Sequence, residues 1–514
     1  MRMRKVLLAA LVALCAMGGL AWTLGRLPPR DSPAVPTAAF EPRETRLGKV
    51  IAPMADANPN PGLSGLYLLD DAREAFAARA LLAQAADRTL DVRYYIWHND
   101  ISGTLLFDAL RAAADRGVHV RLLLDDNNTS GLDPMLAALD AHPNIEVRLF
   151  NPFAIRSPRW VGYLVDFFRL NRRMHNKSFT ADDQATIVGG RNVGDEYFGA
   201  TTGVLFADLD VLAIGSVVGE VSRDFERYWT SGSAYPVDKL LPAGDGTAIA
   251  AAARDALKQP AARAYVNAID ASAFVREWNG RSLVPAWAPV RMVSDDPAKG
   301  LGVAPPDALL LARLRQVIGE PAKQFDLVSP YFVPTADGVD ELVAMARRGV
   351  KIRVLTNALE ATDVAVVHAG YAKRREALLR NGIELYELRR LSAAEPAGAT
   401  RFGSSGASLH AKTFAVDRAR IFVGSFNFDP RSARLNTEMG FVIDSPALAQ
   451  LVEARVTARV PKEAYEVRLA QFGGLRWIEH GSGKPVEHDA EPGASAAKRA
   501  RVWALSLLPV EWLL

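Results

Sequence analysis

One cysteine, Cys15, is all the thiol that a chain of 514 residues contains. Set inside an apolar stretch, it excludes an intramolecular disulfide, a zinc cluster and thiol catalysis. An excess of one charge is also missing: 61 lysines and arginines face 58 aspartates and glutamates, a formal net charge of +3. A protein that grips polyphosphate backbones without regard to sequence is far more basic, so nucleic acid is not an expected partner. No His-Glu-x-x-His spacing and no Gly-x-x-x-x-Gly-Lys-Ser/Thr loop occurs, which leaves no indicated metal or nucleotide cofactor.

The remaining composition is that of a folded chain, with 49% apolar and 23% charged residues. Its length predicts two folded units. Arg2, Arg4 and Lys5 precede an uncharged run from Val6 to Gly25, long enough to cross a hydrocarbon core as a helix. Gly19-Leu20-Ala21 is a poor cleavage site, so an uncleaved anchor is favoured over a secretory signal. Basic residues are denser before the run than after it, which predicts a body outside the cytoplasm, held at a bacterial inner membrane by a single span. Prolines at 28, 29, 33 and 36 then predict an extended linker over 26–61.

A repeat governs the body. Tyr94-Tyr95-Ile96, Asp100, Gly103 and Arg116-Gly117-Val118 recur as Tyr331-Phe332-Val333, Asp337, Gly338 and Arg348-Gly349-Val350. Each copy reads as strand, helix, helix-ending glycine and apolar strand, the pattern of a βαβ unit with parallel pairing. The predicted divisions are 1–25 (anchor), 26–61 (linker), 62–240 (first domain), 241–290 (helical connection), 291–470 (second domain) and 471–514 (tail).

A second repeat carries chemistry. His175, Lys177 and Asp182 recur as His410, Lys412 and Asp417, shifted by 235 positions (410 − 175). Gly189-Gly190-Arg191-Asn192 and Gly424-Ser425-Phe426-Asn427 keep the same offset. Residues i and i+2 of a strand share a face, which sets each histidine beside its lysine. Two such strands face to face make a cationic pocket. Phosphodiester attack spreads negative charge over oxygens that ammonium and amide groups stabilise, a task for Lys177, Lys412, Asn192 and Asn427. One neutral imidazole attacks phosphorus while a protonated one releases the alkoxide. His98, His119, His142, His368, His480 and His488 lack this context.

The duplicated HxKxxxxD with its G-G/S-x-N sequel is similar to the hallmark of the phospholipase D superfamily, over most of 62–470. The resemblance implies an α/β fold of two repeated sandwich domains, related by a pseudo-two-fold axis and sharing one active site. It implies a catalytic set of His175, Lys177, Asp182, His410, Lys412 and Asp417, with His175 as nucleophile and His410 as general acid, an order that the symmetry leaves open. Glu438, 28 positions after His410 (438 − 410), sits where the family places a carboxylate for a histidine. The first half offers Asp208 or Asp210, with Asp210 preferred. Asp182 and Asp417 are expected to orient backbone.

Residues 94–100, 189–198 and 424–432, with Arg169–Met174 and the ending 507–514, resemble bacterial cardiolipin synthases, above all their C branch. This implies transfer of phosphatidyl groups through a phosphohistidine to phosphatidylglycerol, with phosphatidylglycerol or phosphatidylethanolamine as donor and a membrane as partner. A hydrolytic phospholipase D and a membrane-tethered nuclease are the rival readings. The aromatic stretch Trp160–Leu170 and the tail 502–508 read either as buried helix or as segments that dip into a bilayer surface.

Overall fold

A computed structural model describes residues 19, 23, 25–30, 40–58, 60–201, 205–390, 408–481 and 483–514. The expected span, apart from Gly19, Thr23 and Gly25, lies outside these residues. Among the described residues no helix is long and apolar enough to cross a membrane.

The two halves are built alike. Strand Thr89–Ile96, helix Ile101–Asp115 and strand His119–Asn128 form one βαβ unit, and Gln324–Val328, Thr335–Arg347 and Lys351–Asn357 form its repeat, both with parallel pairing. Asp100 starts its helix by accepting from the Gly103 N–H, a side-chain N-cap. Leu106, Phe107, Leu110, Ala113 and Ala114 then recur at helical spacing on the buried face. Both helices stop at a left-handed glycine, Gly117 with φ +94° and Gly349 with φ +91°. In the second copy the strand ends before Pro330, and Tyr331-Phe332-Val333 follow as a loop; a proline nitrogen has no N–H for the ladder.

Parallel pairing extends to Ile145–Phe150 and Glu384–Leu388; among the described residues the other pairings of the two large sheets are antiparallel, and a short parallel pair, Phe206–Ala207 with Ser408–Leu409, links the halves. The first sheet runs Ala286–Ala288, Ser64–Leu69, Asp210–Gly215, Ala185–Gly189, Ser178–Ala181, Thr89–Ile96, His119–Asn128, Ile145–Phe150, Ala234–Pro236. The second runs Val290–Ser294, Met439–Asp444, Arg420–Gly424, Lys412–Val416, Gln324–Val328, Lys351–Asn357, Glu384–Leu388, Ala464–Leu469, Leu475–Glu479, Val486–His488. Val188, Val211 and Ala213 of one half share a buried cluster with Ile421, Val423 and Phe441 of the other. Removing that apolar surface from water joins the halves back to back.

Three segments depart from simple linkers. Within 26–61, helix Arg46–Asp56 is capped by Thr45 and buries Leu47 and Ile51, four apart, in the first core. Helices Ala248–Lys258, Pro260–Asp270 and Ala273–Asn279 bury Ile249, Tyr265 and Phe274 in that same core. After 471 the chain adds two strands to the second sheet, and helix Ala496–Ser506 buries Val502 against Leu359 and Ala369.

Candidate active site

A hairpin carries each His-x-Lys motif. Strand Ser178–Ala181 turns at Asp182-Asp183 into Ala185–Gly189, and Lys412–Val416 turns at Asp417-Arg418 into Arg420–Gly424. Both turn residues have positive φ, 51° and 53° in one copy and 54° and 57° in the other, a geometry in which aspartate is well tolerated. The Asp182 carboxylate accepts from the N–H groups of Asp87, Arg88 and Thr89 at 2.9, 2.7 and 2.9 Å. Asp417 likewise accepts from Ala322, Lys323 and Gln324 at 3.0, 2.7 and 2.9 Å. These aspartates close the far end of the strand and hold backbone there.

The histidines sit at the near end, in extended chain that polar side chains pin. Met174 N donates to Asp125 at 2.7 Å, and Leu409 N donates to Asn357 at 2.9 Å. Each segment then pairs with the opposite half. His175 N donates to the Thr437 carbonyl and His410 N to the Ala207 carbonyl, both at 2.9 Å. The residues after those carbonyls are Glu438 and Asp208, so the crossing brings a carboxylate to each ring. His175 Nδ1 lies 2.8 Å from Glu438 Oε2, and His410 Nδ1 lies 2.5 Å from Asp208 Oδ2.

This arrangement corrects two sequence expectations. Glu438, counted from His410, contacts His175. The carboxylate on His410 is Asp208 and not the preferred Asp210, which accepts from Arg79 at 2.8 Å and from Arg191 N at 3.1 Å. Arg79 is fully buried, and a buried guanidinium requires a charged partner. The downstream glycines make room for both acids: a Cβ on Gly190 would stand 2.2 Å from Asp208 Oδ1, and one on Gly189 2.1 Å from Asp210 Oδ1. Ser425 replaces Gly190 in the second half, where its Oγ and that of Ser432 donate to the two Glu438 oxygens at 2.5 and 2.8 Å.

The other expected residues gather around the rings. Lys177 Nζ donates to the His175 carbonyl at 2.6 Å, and Lys412 Nζ lies 2.8 and 3.1 Å from the two ring nitrogens of His410. Asn192 accepts from Ile96 N at 3.2 Å and donates to the Tyr197 hydroxyl at 3.0 Å. The Asn427 amide oxygen is buried with no partner among the described residues. Tyr95 sets its ring edgewise to His175 at 4.9 Å, and Tyr197 does so to His410 at 5.1 Å.

Burial and crowded positive charge set the protonation states. Burial, then Lys177, Lys412 and His410, hold the His175 imidazolium well below its ordinary range. Burial and Lys412 push His410 down to about 4. Burial lowers both ammonium groups, Lys177 well below the lysine range with Lys412 adding to it, and Lys412 to about 8. Burial alone raises an acid, and Glu438 rises to about 7; for Asp208 the opposing charges of His410, Lys412 and Arg191 win and hold it well below the carboxylate range. The crosswise contacts of His175 with Glu438 and of His410 with Asp208 bring both motifs to one pocket.

Sequence reasoning missed Asp125, Asn357, Ser425, Ser432, Tyr95 and Tyr197. The repeat register held a signal for the first pair: Asn357 follows Asp125 by 232 positions (357 − 125), the offset of Arg116 and Arg348, and each follows the apolar run of its strand. Elsewhere among the described residues His98, Asp100 and Glu196 approach one another. Asp100 there accepts from the N–H groups of Gly103 and Asp195, so capping accounts for it.

Two alike α/β domains that exchange carboxylates across paired histidines define a phospholipase D-like fold. The family described as "Cardiolipin synthase, PLD-like domain" matches residues 79–229 and 314–459, and the chain belongs to it. Among curated relatives it is 51% identical to cardiolipin synthase C of Escherichia coli K12 over 480 residues, which is 91% of this chain and 100% of that one. It is 25% identical to cardiolipin synthase A of Pseudomonas syringae pv. syringae B728a over 420 residues, which is 80% of this chain and 72% of that one. A crystal structure of phosphatidylserine synthase from Haemophilus influenzae Rd KW20 shares the fold, with TM-score 0.57 at 14% identity, covering 88% of this chain and 95% of that one.

Proposed function

We propose that the protein is a phosphatidyltransferase that makes cardiolipin, and that it works by a phosphohistidine relay. His175 donates its Nδ1 proton toward Glu438, which leaves Nε2 with a lone pair to attack the phosphorus of a donor phospholipid. The bond from phosphorus to the headgroup oxygen breaks, and His410, which takes up a proton when the anionic phosphate enters beside the lysines and is supported by ionised Asp208, gives that oxygen its proton. Glycerol or ethanolamine leaves. A phosphatidylglycerol hydroxyl then attacks the phosphatidyl-histidine, His410 takes up its proton, and Nε2 of His175 departs. Atoms and protons balance over the cycle, and the enzyme returns to its starting state.

The observation that carries this reading is the crosswise pairing of each histidine with a carboxylate of the other half. It fixes both tautomers and leaves Nε2 as the working nitrogen on each ring. Phosphate oxygens would meet Lys177 and Lys412, whose ammonium groups repel each other in the empty pocket and are matched by a bound anion. The unpartnered Asn427 oxygen is a further group for substrate to satisfy.

The test is product analysis by mass with full-length protein in phosphatidylglycerol vesicles, with and without phosphatidylethanolamine. Cardiolipin with released glycerol or ethanolamine is expected. Phosphatidic acid as sole product would contradict synthesis and establish hydrolysis. The apolar run Val6–Gly25 supports a location at a bacterial inner membrane, and the charge asymmetry around it supports a periplasmic body. A reporter fused after Leu514 is expected to be active only in the periplasm; activity confined to the cytoplasm would reverse the orientation.

A further inference from the structure

Two helical segments carry apolar side chains that no other described residue covers. Trp160, Leu164 and Phe168 are spaced four apart and are 64%, 74% and 72% exposed. The opposite side of this segment is held rigidly: Tyr163 donates to Asn127 at 2.6 Å, and Gly162 packs on Phe153. In the C-terminal segment Trp503 and Leu507, again four apart, are 66% and 65% exposed, with Trp512 beyond them. Exposed apolar residues on one stripe of each of two elements exceed the scatter expected on a soluble surface.

Arg431 ties the two segments together. Its guanidinium donates to the Asn171 side chain at 2.8 Å, just after Phe168, and to the Leu513 carbonyl at 3.0 Å. His175 follows Phe168 by seven residues and Arg431 follows Asn427 by four, so the chain itself holds both close to the pocket. On the other side Leu514 packs with Val333, beside Tyr331.

Two further observations identify what covers this face. The chain that follows the N-terminal apolar run comes to the same region, where Leu27 and Pro28 line one cleft together with Phe153 and Arg156, on the loop that leads to Trp160. Arg30 completes the attachment by donating to the Ser231 carbonyl at 2.6 Å. The apolar stripes are also bordered by cations, Arg172 after Phe168 and exposed Arg501 before Trp503, the pairing of aromatic and basic groups that suits an anionic lipid interface.

We infer that Trp160, Leu164 and Phe168, together with Trp503, Leu507 and Trp512, form a membrane-docking face that seats the mouth of the pocket on an anionic lipid surface. This rests on the phospholipid-transfer reading for the identity of what enters the pocket. Headgroup and phosphate then pass between the two stripes toward the histidines while the acyl chains stay in the bilayer.

Tryptophan quenching tests the face independently of turnover. Full-length protein with Trp22→Phe, which removes the tryptophan of the apolar run, is reconstituted in phosphatidylglycerol vesicles with brominated acyl chains. Quenching is expected, and Trp160→Phe and Trp503→Phe should each lower the quenched fraction. Leu164→Asp with Phe168→Asp should abolish the Trp160 contribution and lower product formation from vesicles at least 10-fold. The same variant should turn over dissolved dibutyroyl phosphatidylglycerol within 2-fold of the parent. Quenching that none of these substitutions changes would overturn the inference. So would a dimer, seen by sedimentation, that Leu164→Asp with Phe168→Asp dissolves, because a second copy would then cover the face. Quenching without any lipid product would contradict the phosphatidyl-transfer reading and leave the docking face standing.

Discussion

Two buried lysines facing two buried histidines make a pocket whose empty state carries repulsion. Lys177 illustrates the cost. With its folded-state value held below the ordinary one by burial and then by Lys412, its charge opposes folding at neutral pH, and that loss is relieved only as pH rises toward the unfolded lysine value. Lys177→Met is therefore expected to raise the unfolding temperature while lowering turnover by about 100-fold or more, measured by thermal denaturation and by the vesicle assay. A destabilised variant would contradict the electrostatic reading. The pH dependence follows from the same groups. Glu438 must be ionised to hold the His175 proton and lies at about 7, whereas Lys412 must stay charged and lies at about 8. A bell-shaped kcat is expected for the substrate complex, in which the phosphate anion keeps His410 charged, with Glu438 setting the rising limb and Lys412 the falling one. Glu438→Gln should remove the rising limb; a rising limb that persists would assign it to another group.

At the scale of elements, the motif aspartate is a device for building the hairpin. Asp182 turns the chain and accepts three backbone N–H groups, each charge-assisted bond contributing roughly 1.5–3 kcal/mol. Asp182→Ala should lower stability by about 2–4 kcal/mol, measured by denaturant unfolding, and the folded fraction should retain catalysis. Loss of turnover without loss of stability would place Asp182 in the chemistry. These elements also show what the sequence made legible. The βαβ repeat follows from apolar spacing and from Gly117 and Gly349, because local chemistry dictates where a helix stops. The shared pocket follows from the duplicated motif by resemblance. The carboxylate partners were harder to read. Glu438 and Asp208 reach their histidines through pairing between segments more than 200 residues apart, 438 − 175 and 410 − 208 in sequence, and no local pattern encodes which half an acid will face. Asp210, the partner preferred from sequence, is instead engaged by the buried Arg79.

At the scale of the whole molecule, the duplication acquires its purpose from the interface. The buried cluster of Val188, Val211, Ile421 and Phe441 fixes the halves back to back, and that packing supports the proposed relay, in which two half-sites act on one phosphorus. The central claim is this division of labour between two rings. It is tested most directly with a phosphatidyl p-nitrophenol ester, whose leaving group needs no proton, by following nitrophenol release and acid-quenched phosphoenzyme in the two histidine variants. His410→Ala is expected to release one equivalent of nitrophenol in a burst and to retain phosphatidyl on His175, with no further turnover. His175→Ala is expected to release none. Continued turnover in either variant, or a burst from His175→Ala, would contradict the account.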